Sequence, residues 1–359
     1  MNSEPLLRIL FACRGSTQGG LGHVMRSRSV AIEMARRNSV RMVIVGDEYV
    51  DALVSNRGLN YQIVECEAEL AGYYEEFQPH VVVFDALQFS ESLIERMRQR
   101  CVTVSLSPVF NLLNQVDLVF HRTIHFGEDW AVADGHGPEI RFGLQYAVVR
   151  NQCLRISEDE YTRSLKQNPL AIVVSMGGGD AGNKTLATLR AIQAVPCPLL
   201  IWVLLGEGYG HSYQSLVDCV KENKQHEIIL AKTSESMWRV MRTCSLAILA
   251  GGTVSYESAF AGLPAINVFE NTKHMFLIRE LVESGICLSA GYPFHEALDV
   301  VTANLAFLER NRDELLTMHR NSQGVIDGNG ARRIAEEICQ FQRRHRERES
   351  TIKQPAGAA

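Results

Sequence analysis

The sequence lacks the cysteine spacings and the long apolar runs that define several classes of protein. Its nine cysteines are scattered, and because none forms a Cys-x-x-Cys pair, both the spacing of a zinc site and a disulfide framework are absent. No apolar run approaches the roughly 18 residues of a membrane-spanning helix, and no basic stretch with a long apolar segment begins the chain. We therefore expect a cytoplasmic protein without an integral membrane segment.

An excess of positive charge is also missing. The chain has 36 Lys and Arg residues against 41 Asp and Glu residues, which gives a net charge of -5. This balance argues against a nucleic-acid surface, and we expect no nucleic-acid partner. The composition that is present, 46% hydrophobic and 21% charged residues, is ordinary for a soluble globular protein. At about 150 residues per domain, the length predicts roughly two domains.

Short apolar runs alternate with helical patterns in both halves of the chain. In the first half the runs begin near residues 7, 40, 61, 81, 101 and 116, and in the second half near 170, 199, 227, 246 and 264. This alternation implies right-handed crossovers and parallel sheets. We predict an α/β fold with two Rossmann-like domains that face a central cleft. The domains are residues 1–150 and residues 151–345 with C-terminal helices, followed by a disordered tail, 346–359.

The first glycine-rich turn carries a histidine. The sequence Gly19-Gly20-Leu21-Gly22-His23 follows an apolar strand and precedes an amphipathic helix. Such a turn lets backbone N–H groups approach an anion at the helix N-terminus, and imidazole suits proton transfer near neutral pH. We favour a catalytic role for His23 over the alternative, in which it merely caps the helix.

Two further glycine turns lie in the second half. Residues 176–180 have neither the Gly-Lys-Ser/Thr ending of a P-loop nor a Gly-x-Gly-x-x-Gly pattern, which argues against an ATPase and against a nicotinamide site. Residues 251–257 place Thr253 or Ser255 at a helix start, where hydroxyl and N–H groups suit a diphosphate. Glu257, one turn further, can accept hydrogen bonds from ribose hydroxyls. The competing interpretation is helix capping by Thr253 or Ser255, with Glu257 favoured by the helix dipole.

Other polar residues carry less weight. His121 and His125 are four residues apart, but no third ligand lies nearby in the sequence, so we expect no metal site. Asp85 ends a buried strand and can either face the cleft or cap the following turn.

The order of several motifs resembles a known enzyme family. The motifs are Ser16, Gln18, Gly20, Gly22-His23 and Arg26, then Gly143-x-x-Tyr146-Ala147-x-x-Arg150, Met176-Gly177-Gly178, Gly252 to Glu257 with Gly262 and Pro264, Glu270-Asn271 and Asp327-Gly328-x-Gly330-Ala331-x-Arg333. They resemble the UDP-sugar hydrolases of the pseudaminic acid pathway and the related spore-coat polysaccharide proteins, within the MurG-like glycosyltransferase-B superfamily.

The resemblance implies a glycosyltransferase-B fold that binds a UDP-sugar between its domains, without a metal or cofactor. His23 would activate a water that attacks the anomeric carbon with inversion and expels UDP, whose charge the helix N-termini after Gly178 and Gly252 would meet. The pathway would be surface-glycan or nonulosonic acid biosynthesis, with its enzymes as candidate partners. The implied substrate-binding residues are Gln18, Gly20, Gly22, Arg26, Asp85, Gly177, Gly178, Gly252, Thr253, Ser255, Glu257 and Asn271.

The chain also departs from this family, mostly in its N-terminal half. Where the family has an arginine and an aspartate two residues apart after the first strand, this chain has Ala12 and Arg14. The family's Asp-x-Tyr after the fourth strand is replaced here by Asp85-Ala86-Leu87. Its acidic pair after the fifth strand is replaced by Leu106-Ser107, and its glutamine after the substrate asparagine is replaced by Thr272. We infer that the nucleotide half is kept and the sugar or acceptor pocket is rebuilt, which leaves the sugar open.

Two other functions fit the same residues. In a glycosyltransferase, His23 would deprotonate a sugar or lipid hydroxyl instead of water. A lipid acceptor would need an exposed apolar or basic patch on the N-terminal domain, for which residues 109–113 are a candidate. A non-catalytic nucleotide-sugar sensor would keep the fold, and His23 would then be dispensable.

Overall fold

Two parallel β-sheets organise the chain. The structure, a computed structural model, describes residues 6–16, 20–47, 50, 59–86, 88–107, 115–125, 137–232 and 237–353. Seven strands, all from residues 8–142, form the first sheet, and six strands from residues 170–289 form the second. In the described part of the chain, no helix is long and apolar enough to cross a membrane.

The first sheet has the strand order β3-β2-β1-β4-β5-β6-β7. Its strands are β1 (Arg8–Gly15), β2 (Ser39–Gly46), β3 (Tyr61–Val64), β4 (Val81–Asp85), β5 (Val102–Ser105), β6 (Leu118–His121) and β7 (Glu139–Phe142). The chain order reverses between β1 and β4, which are parallel neighbours with Cys13 beside Asp85. Ligands of doubly wound sheets bind beyond the carboxyl ends of the strands at such a reversal.

The second sheet repeats this arrangement with the order β10-β9-β8-β11-β12-β13. Its strands are β8 (Leu170–Ser175), β9 (Leu199–Leu205), β10 (Glu227–Lys232), β11 (Leu246–Leu249), β12 (Ala265–Asn267) and β13 (Cys287–Ser289). The reversal here lies between β8 and β11. Every residue of both strands is buried, as expected for parallel strands that are covered on both faces.

Helices cover both faces of each sheet. In the first unit they are α1 (Gly22–Ala35), α2 (Glu67–Phe77) and α3 (Glu91–Arg98). In the second they are α4 (Glu158–Leu165), α5 (Lys184–Ile192), α6 (Tyr213–Glu222), α7 (Met237–Met241), α8 (Thr253–Ala261), α9 (Thr272–Glu283), α10 (Phe294–Arg310) and α11 (Arg312–Asn321), and α12 (Gly330–Lys353) ends the chain. The cysteines are free thiols; five are buried and Cys66 is exposed.

The C-terminal helix α12 returns to the first unit, which corrects the predicted division of the chain. Ile334, Ile338 and Phe341 pack into the core beneath α1 and β1, although we expected the C-terminal helices to belong to the second domain. The helix also continues through Lys353, so residues 346–353 are helical and not a disordered tail. Residues 354–359 lie outside the described part of the chain.

The linker between the sheets alternates between the two cores. Tyr146 and Val148 pack into the core of the first unit, whereas Ala147 and Val149 pack into that of the second. A Cβ built on Gly330 would overlap the carbonyl oxygen of Ala147. The start of α12 therefore presses on the linker, and only glycine permits this approach.

A pair of charged residues holds the same junction. Arg333 bonds to Asp327, with 2.6 Å between Nη2 and Oδ2, and also donates to the carbonyl of Gln145 in the linker. The backbone N–H of Asn329 donates to Oδ1 of Asp327 over 2.8 Å. The Asp-Gly-x-Gly-Ala-x-Arg signature therefore ties α12 to the linker.

Candidate functional site

The glycine turns of the two units meet beyond the carboxyl ends of their strands. A Cβ built on Gly178 would lie 3.6 Å from the Cα of Gly20, and one on Gly22 would lie 3.4 Å from Oγ1 of Thr253. Gly20 has a φ of +75°, which glycine adopts without strain. The structure thus brings four predicted site residues together across the junction of the two sheets.

His23, the second residue of α1, is held by Asp85 at the end of β4. Its Nδ1 lies 2.7 Å from Oδ1 of Asp85. The imidazole keeps 23% of its side-chain surface exposed, whereas Asp85 has none. The histidine is therefore anchored from behind on one ring nitrogen and reaches solvent in the junction between the units.

Asp85 is the centre of a buried polar network. Arg26 donates to both of its oxygens, with 2.8 Å from Nε to Oδ2, and Ser27 donates to Oδ2 over 3.1 Å. Arg26 also donates to Oγ of Ser107 over 3.0 Å. Burial alone would raise the pKa of Asp85, but Arg26 and His23 outweigh it and hold that pKa well below its ordinary value. Asp85 is thus an anion at neutral pH.

This charge decides which nitrogen of His23 carries the proton. An ionised carboxylate only accepts hydrogen bonds, so Nδ1 of His23 must be the protonated nitrogen that donates to Asp85. Arg26 Nη2 lies 3.0 Å from the same nitrogen, but two donors cannot bond to each other, and Arg26 is satisfied by Asp85 and Ser107. In the neutral ring the lone pair then lies on Nε2, where a general base requires it.

Two predicted substrate contacts are corrected by this network. Asp85 is fully buried, and Arg26 is 3% exposed. Both side chains spend their hydrogen bonds on each other and on their neighbours, so they position His23 and do not reach the junction. Gln18, a third predicted contact, lies outside the described residues.

Helix α8 begins at the junction without a side-chain cap. Its N-cap residue is Gly252, and no described side chain bonds to its first N–H groups. The N–H of Ser255 bonds to the carbonyl of Gly252, which leaves those of Thr253 and Val254 without a backbone acceptor. Helix α1 begins beside it at Gly22, also without a side-chain cap. Two helix N-termini therefore lie side by side, and among the described residues no side chain caps either of them, an arrangement that attracts anions.

Two other predicted residues of α8 point away from the junction. Ser255 is buried and donates to Oδ1 of Asn267 over 2.6 Å. Glu257 has no exposed surface; its carboxylate binds Nε of Arg150 at 2.6 Å and Nε1 of Trp238 at 3.2 Å. In this structure Ser255 and Glu257 stabilise the second unit, and neither is placed to meet a ligand as we predicted.

The turn after β8 also differs from expectation. Gly177 is exposed and Gly178 lies against the first unit, but the helix that follows is already capped. Asp180 accepts from the backbone N–H groups of Lys184 and Thr185, over 2.8 and 3.0 Å. The N-terminus of α5 is therefore not free to bind a diphosphate, which corrects the prediction for the helix after Gly178.

The N-terminus of α9 has a capping residue, and charged residues lie next to it. Asn271 caps the helix by accepting a hydrogen bond from the N–H of His274 at Oδ1 over 3.0 Å, and its contact with substrate stays a prediction. Lys184 is buried and forms an ion pair with Glu270. Burial lowers the pKa of His274, and the charges of Glu270, Arg122 and His23 act on it as well. The charges of His23 and Arg122 thus both act on His274, and no sequence motif indicated His274 or Arg122.

The segment after β6 bridges the two units. The N–H of Ile124 donates to Glu280 over 2.9 Å, and Nε2 of His125 lies 2.6 Å from Glu283. Nε2 of His121 lies 2.7 Å from the carbonyl oxygen of His125. Among the described residues, no three His, Cys, Asp or Glu side chains form a metal-binding group.

The positions that depart from the resembled family also have definite contacts. Arg14 forms an ion pair with Glu67 and donates to the carbonyl of Gln88 over 3.1 Å. Ser107, by contrast, belongs to the network around Asp85. Of these replacements, Ser107 is therefore the one that supports His23, and Arg14 belongs to the surface of the first unit. Leu87 lies outside the described residues.

Comparisons with known proteins find distant relatives. No protein-family model matches the sequence. The uncharacterized protein MJ1062 of Methanocaldococcus jannaschii is 21% identical over 277 residues, 74% of this chain and 56% of that protein. The spore coat polysaccharide biosynthesis protein SpsG of Bacillus subtilis is 21% identical over 192 residues, 54% of this chain and 56% of SpsG. The chain thus spans little more than half the length of both relatives.

Solved structures match nearly the whole chain. MurG of Acinetobacter baumannii has a TM-score of 0.64 at 14% identity and covers 94% of this chain and 100% of its own. HepE of Anabaena, crystallised with UDP-glucose, has a TM-score of 0.64 at 12% identity, with coverage of 93% and 100%. The prediction of two parallel-sheet domains in the glycosyltransferase-B arrangement is confirmed, and SpsG supports the spore-coat side of the resemblance. The chain has the glycosyltransferase-B fold.

Proposed function

We propose that this protein hydrolyses a UDP-sugar at the anomeric C–O bond, with His23 as the general base. One observation carries the proposal: the oriented His23–Asp85 pair lies beside the uncapped N-terminus of α8. A base and an anion site are thus adjacent, and expulsion of a diphosphate by water requires both.

The anion site accounts for the leaving group. The free N–H groups of Thr253 and Val254 and the positive end of the α8 dipole suit the phosphates. Such fixed dipoles stabilise the negative charge that develops as the C–O bond breaks. The exposed Gly252 lets the phosphate oxygens approach the backbone closely.

The base accounts for the nucleophile. Nε2 of His23 removes a proton from water as the water oxygen bonds to the anomeric carbon, and the electron pair of the old C–O bond leaves with the diphosphate. Asp85 stabilises the imidazolium that forms, because Nδ1–H already donates to its carboxylate. Attack from the side opposite to the leaving group inverts the anomeric centre.

Two comparisons support uridine as the nucleotide and a glycan pathway as the setting. HepE, which shares the fold, was crystallised with UDP-glucose, and SpsG is described as a spore coat polysaccharide biosynthesis protein. Pseudaminic acid biosynthesis remains our proposal from the sequence motifs alone. The same base would serve a glycosyltransferase, because it can take a proton from an acceptor hydroxyl as it does from water.

The test is UDP release from a panel of UDP-sugars without any acceptor. We expect wild type to release UDP and an inverted free sugar, followed by NMR, and His23→Ala to be slower by about 10²–10⁴-fold. His295→Ala is the matched control, because that side chain is 78% exposed.

Each outcome decides between named functions. Tight binding of a UDP-sugar without release would exclude hydrolysis and indicate a transferase that needs its acceptor. Unchanged release by His23→Ala would exclude His23 as the base, and failure to bind any UDP-sugar would exclude the proposed function as a whole.

A further inference from the structure

Arg122, which follows β6, is a buried arginine whose guanidinium has no hydrogen-bonding partner among the described residues. The residue is 7% exposed, and its Nε has no acceptor in the described part of the chain. No hydrogen bond or ion pair joins its guanidinium to another described residue. Its guanidinium stacks on the ring of Tyr256 in α8, whose centroid lies 4.6 Å from Cζ. A buried charge without a partner lowers the stability of the folded protein. We therefore expect Arg122 to have a role when a ligand is bound.

Other arginines that stack on aromatic rings are satisfied. Arg41 lies 4.7 Å from the ring of Phe77 and forms a 2.8 Å ion pair with Glu76. Arg155 lies 4.5 Å from the ring of Phe260 and donates to the carbonyl of that residue. Stacking alone therefore does not account for Arg122, because in both comparable cases an oxygen also accepts from the guanidinium.

The local balance of charge leaves Arg122 without a counter-ion. Burial lowers the pKa of Arg122 to about 10, and the charge of Arg26 acts in the same direction, so the guanidinium is still charged at neutral pH. Asp85 acts in the opposite direction, but its oxygens already accept from Arg26, Ser27 and His23. The carboxylate of Asp85 is therefore already taken by other donors, and among the described residues no carboxylate forms an ion pair with Arg122.

Arg122 also lies at the functional junction. Tyr256, on which it stacks, belongs to the first turns of α8, the helix with the uncapped N-terminus. The charges of both Arg122 and His23 act on His274, and Ile124 and His125 just beyond it bridge to α9. Arg122 therefore stacks on the helix that carries the anion site, and its charge acts on the same histidine as that of the base.

We propose that Arg122 binds an anionic oxygen group of the substrate between the two units. The group is either the distal phosphate of the nucleotide or a carboxylate on the sugar, because a guanidinium binds both in the same bidentate manner. This inference rests on the proposed function for the identity of the substrate. It gives the first unit a substrate contact beyond His23.

The experiment compares wild type with Arg122→Met, Arg122→Lys and Arg41→Met by calorimetric titration of the full chain. The probes are pyrophosphate, UMP, UDP, UDP-glucose and UDP-glucuronate. Methionine keeps the apolar contact with Tyr256, lysine keeps the charge without the fork, and Arg41→Met removes a stacked arginine far from the junction. The thermal unfolding temperature of each variant shows whether the substitution only removed the stabilising contact between the arginine and its aromatic ring.

The two sources of the anion give different results. If the distal phosphate is bound, Arg122→Met weakens UDP and pyrophosphate by about tenfold or more and leaves UMP unchanged. If a sugar carboxylate is bound, Arg122→Met removes the preference for UDP-glucuronate over UDP-glucose and leaves UDP unchanged. In either case Arg122→Lys retains part of the wild-type affinity for the anion, because it keeps the positive charge. Arg41→Met binds like wild type.

Equal affinities of wild type and Arg122→Met for all five probes would overturn the inference, even if the variant unfolds at a lower temperature. That result would make Arg122 a packing residue of the junction. Pyrophosphate binding that depends on Arg122, without any binding of uridine nucleotides, would instead keep the anion site and overturn the proposed function. Failure of wild type to bind any probe would overturn both.

Discussion

His23 and Asp85 are 62 residues apart in the chain, yet Nδ1 of the histidine lies 2.7 Å from Oδ1 of the aspartate. The sheet order explains the contact. Helix α1 follows β1, and β1 lies beside β4, so the residue that ends β4 meets the first turn of α1. The point where the strand order reverses thus builds an oriented base from two distant segments.

The first prediction concerns this pair. In Asp85→Asn, the amide can donate to Nδ1 of His23, which would move the ring proton to Nε2 and abolish the base. We expect kcat to fall by about 10²–10⁴-fold, while UDP binding changes little because neither Asp85 nor His23 contacts the phosphates in the proposed site. Nitrogen NMR of His23 should show the exchanged tautomer. The unfolding free energy should also fall, because Arg26 loses its charge partner.

Asp117→Asn is the matched control for that variant. Asp117 accepts from the backbone and hydroxyl of Thr103 over 2.8 Å and from Arg98 over 3.1 Å, at the opposite end of β5 from Ser105. We expect a loss of stability with normal kcat. If Asp85→Asn stays folded and keeps wild-type kcat, orientation of His23 by Asp85 has no catalytic role.

The strands were predictable where burial makes the sequence continuously apolar. Strands β4 (Val81–Asp85), β8 (Leu170–Ser175) and β9 (Leu199–Leu205) begin at the predicted residues, because both faces of a parallel sheet are covered and the sequence is therefore apolar almost throughout. Strand β7 (Glu139–Phe142) was missed, since it is partly exposed and carries charged residues. Strand β13 (Cys287–Ser289) was missed because two of its three residues are only half-buried, whereas the equally short β12 (Ala265–Asn267) is fully buried.

The site was predictable only where a local motif carries it. His23 lies in a glycine turn that the sequence indicates by itself, whereas its partner Asp85 depends on the sheet order. For Glu257 a local motif gave the wrong prediction. Helical spacing places Glu257 one turn after Thr253, but the helix is buried at that turn, and the carboxylate forms an ion pair with Arg150. Arg122 follows a short strand in a poorly patterned stretch, so only the fold identifies it.

The second prediction concerns acid stability. Burial lowers the pKa of His121 to about 4, against the partly compensating hydrogen bond to the carbonyl of His125. The folded protein therefore keeps His121 neutral, whereas the unfolded chain binds a proton below its ordinary pKa of 6.5. This contribution to stability is present above pH 6.5 and is lost as the pH falls toward 4. One such group changes the unfolding free energy by up to about 1.4 kcal/mol per pH unit.

Urea unfolding at several pH values between 4 and 8 tests this. His121→Asn can keep a donor for the carbonyl of His125 without titrating, so the decline in unfolding free energy below pH 6.5 should become shallower. Burial lowers the pKa of His226 and His319 as well, so part of the slope should remain. A slope identical to wild type in His121→Asn would show that His121 does not titrate as stated.

The third prediction concerns the return of α12 to the first unit. In Gly330→Ala, the new methyl group would overlap the carbonyl oxygen of Ala147, and backbone on both sides leaves no flexible side chain to move aside. We expect the unfolding free energy to fall by roughly 2 kcal/mol or more, as in overpacked cores. Gly72 in α2 is the matched control, because a Cβ there has nothing within 4 Å. Gly72→Ala should stabilise the protein by about 0.5–1 kcal/mol through helix propensity, and equal effects of the two substitutions would mean that the contact with Ala147 does not hold α12 in place.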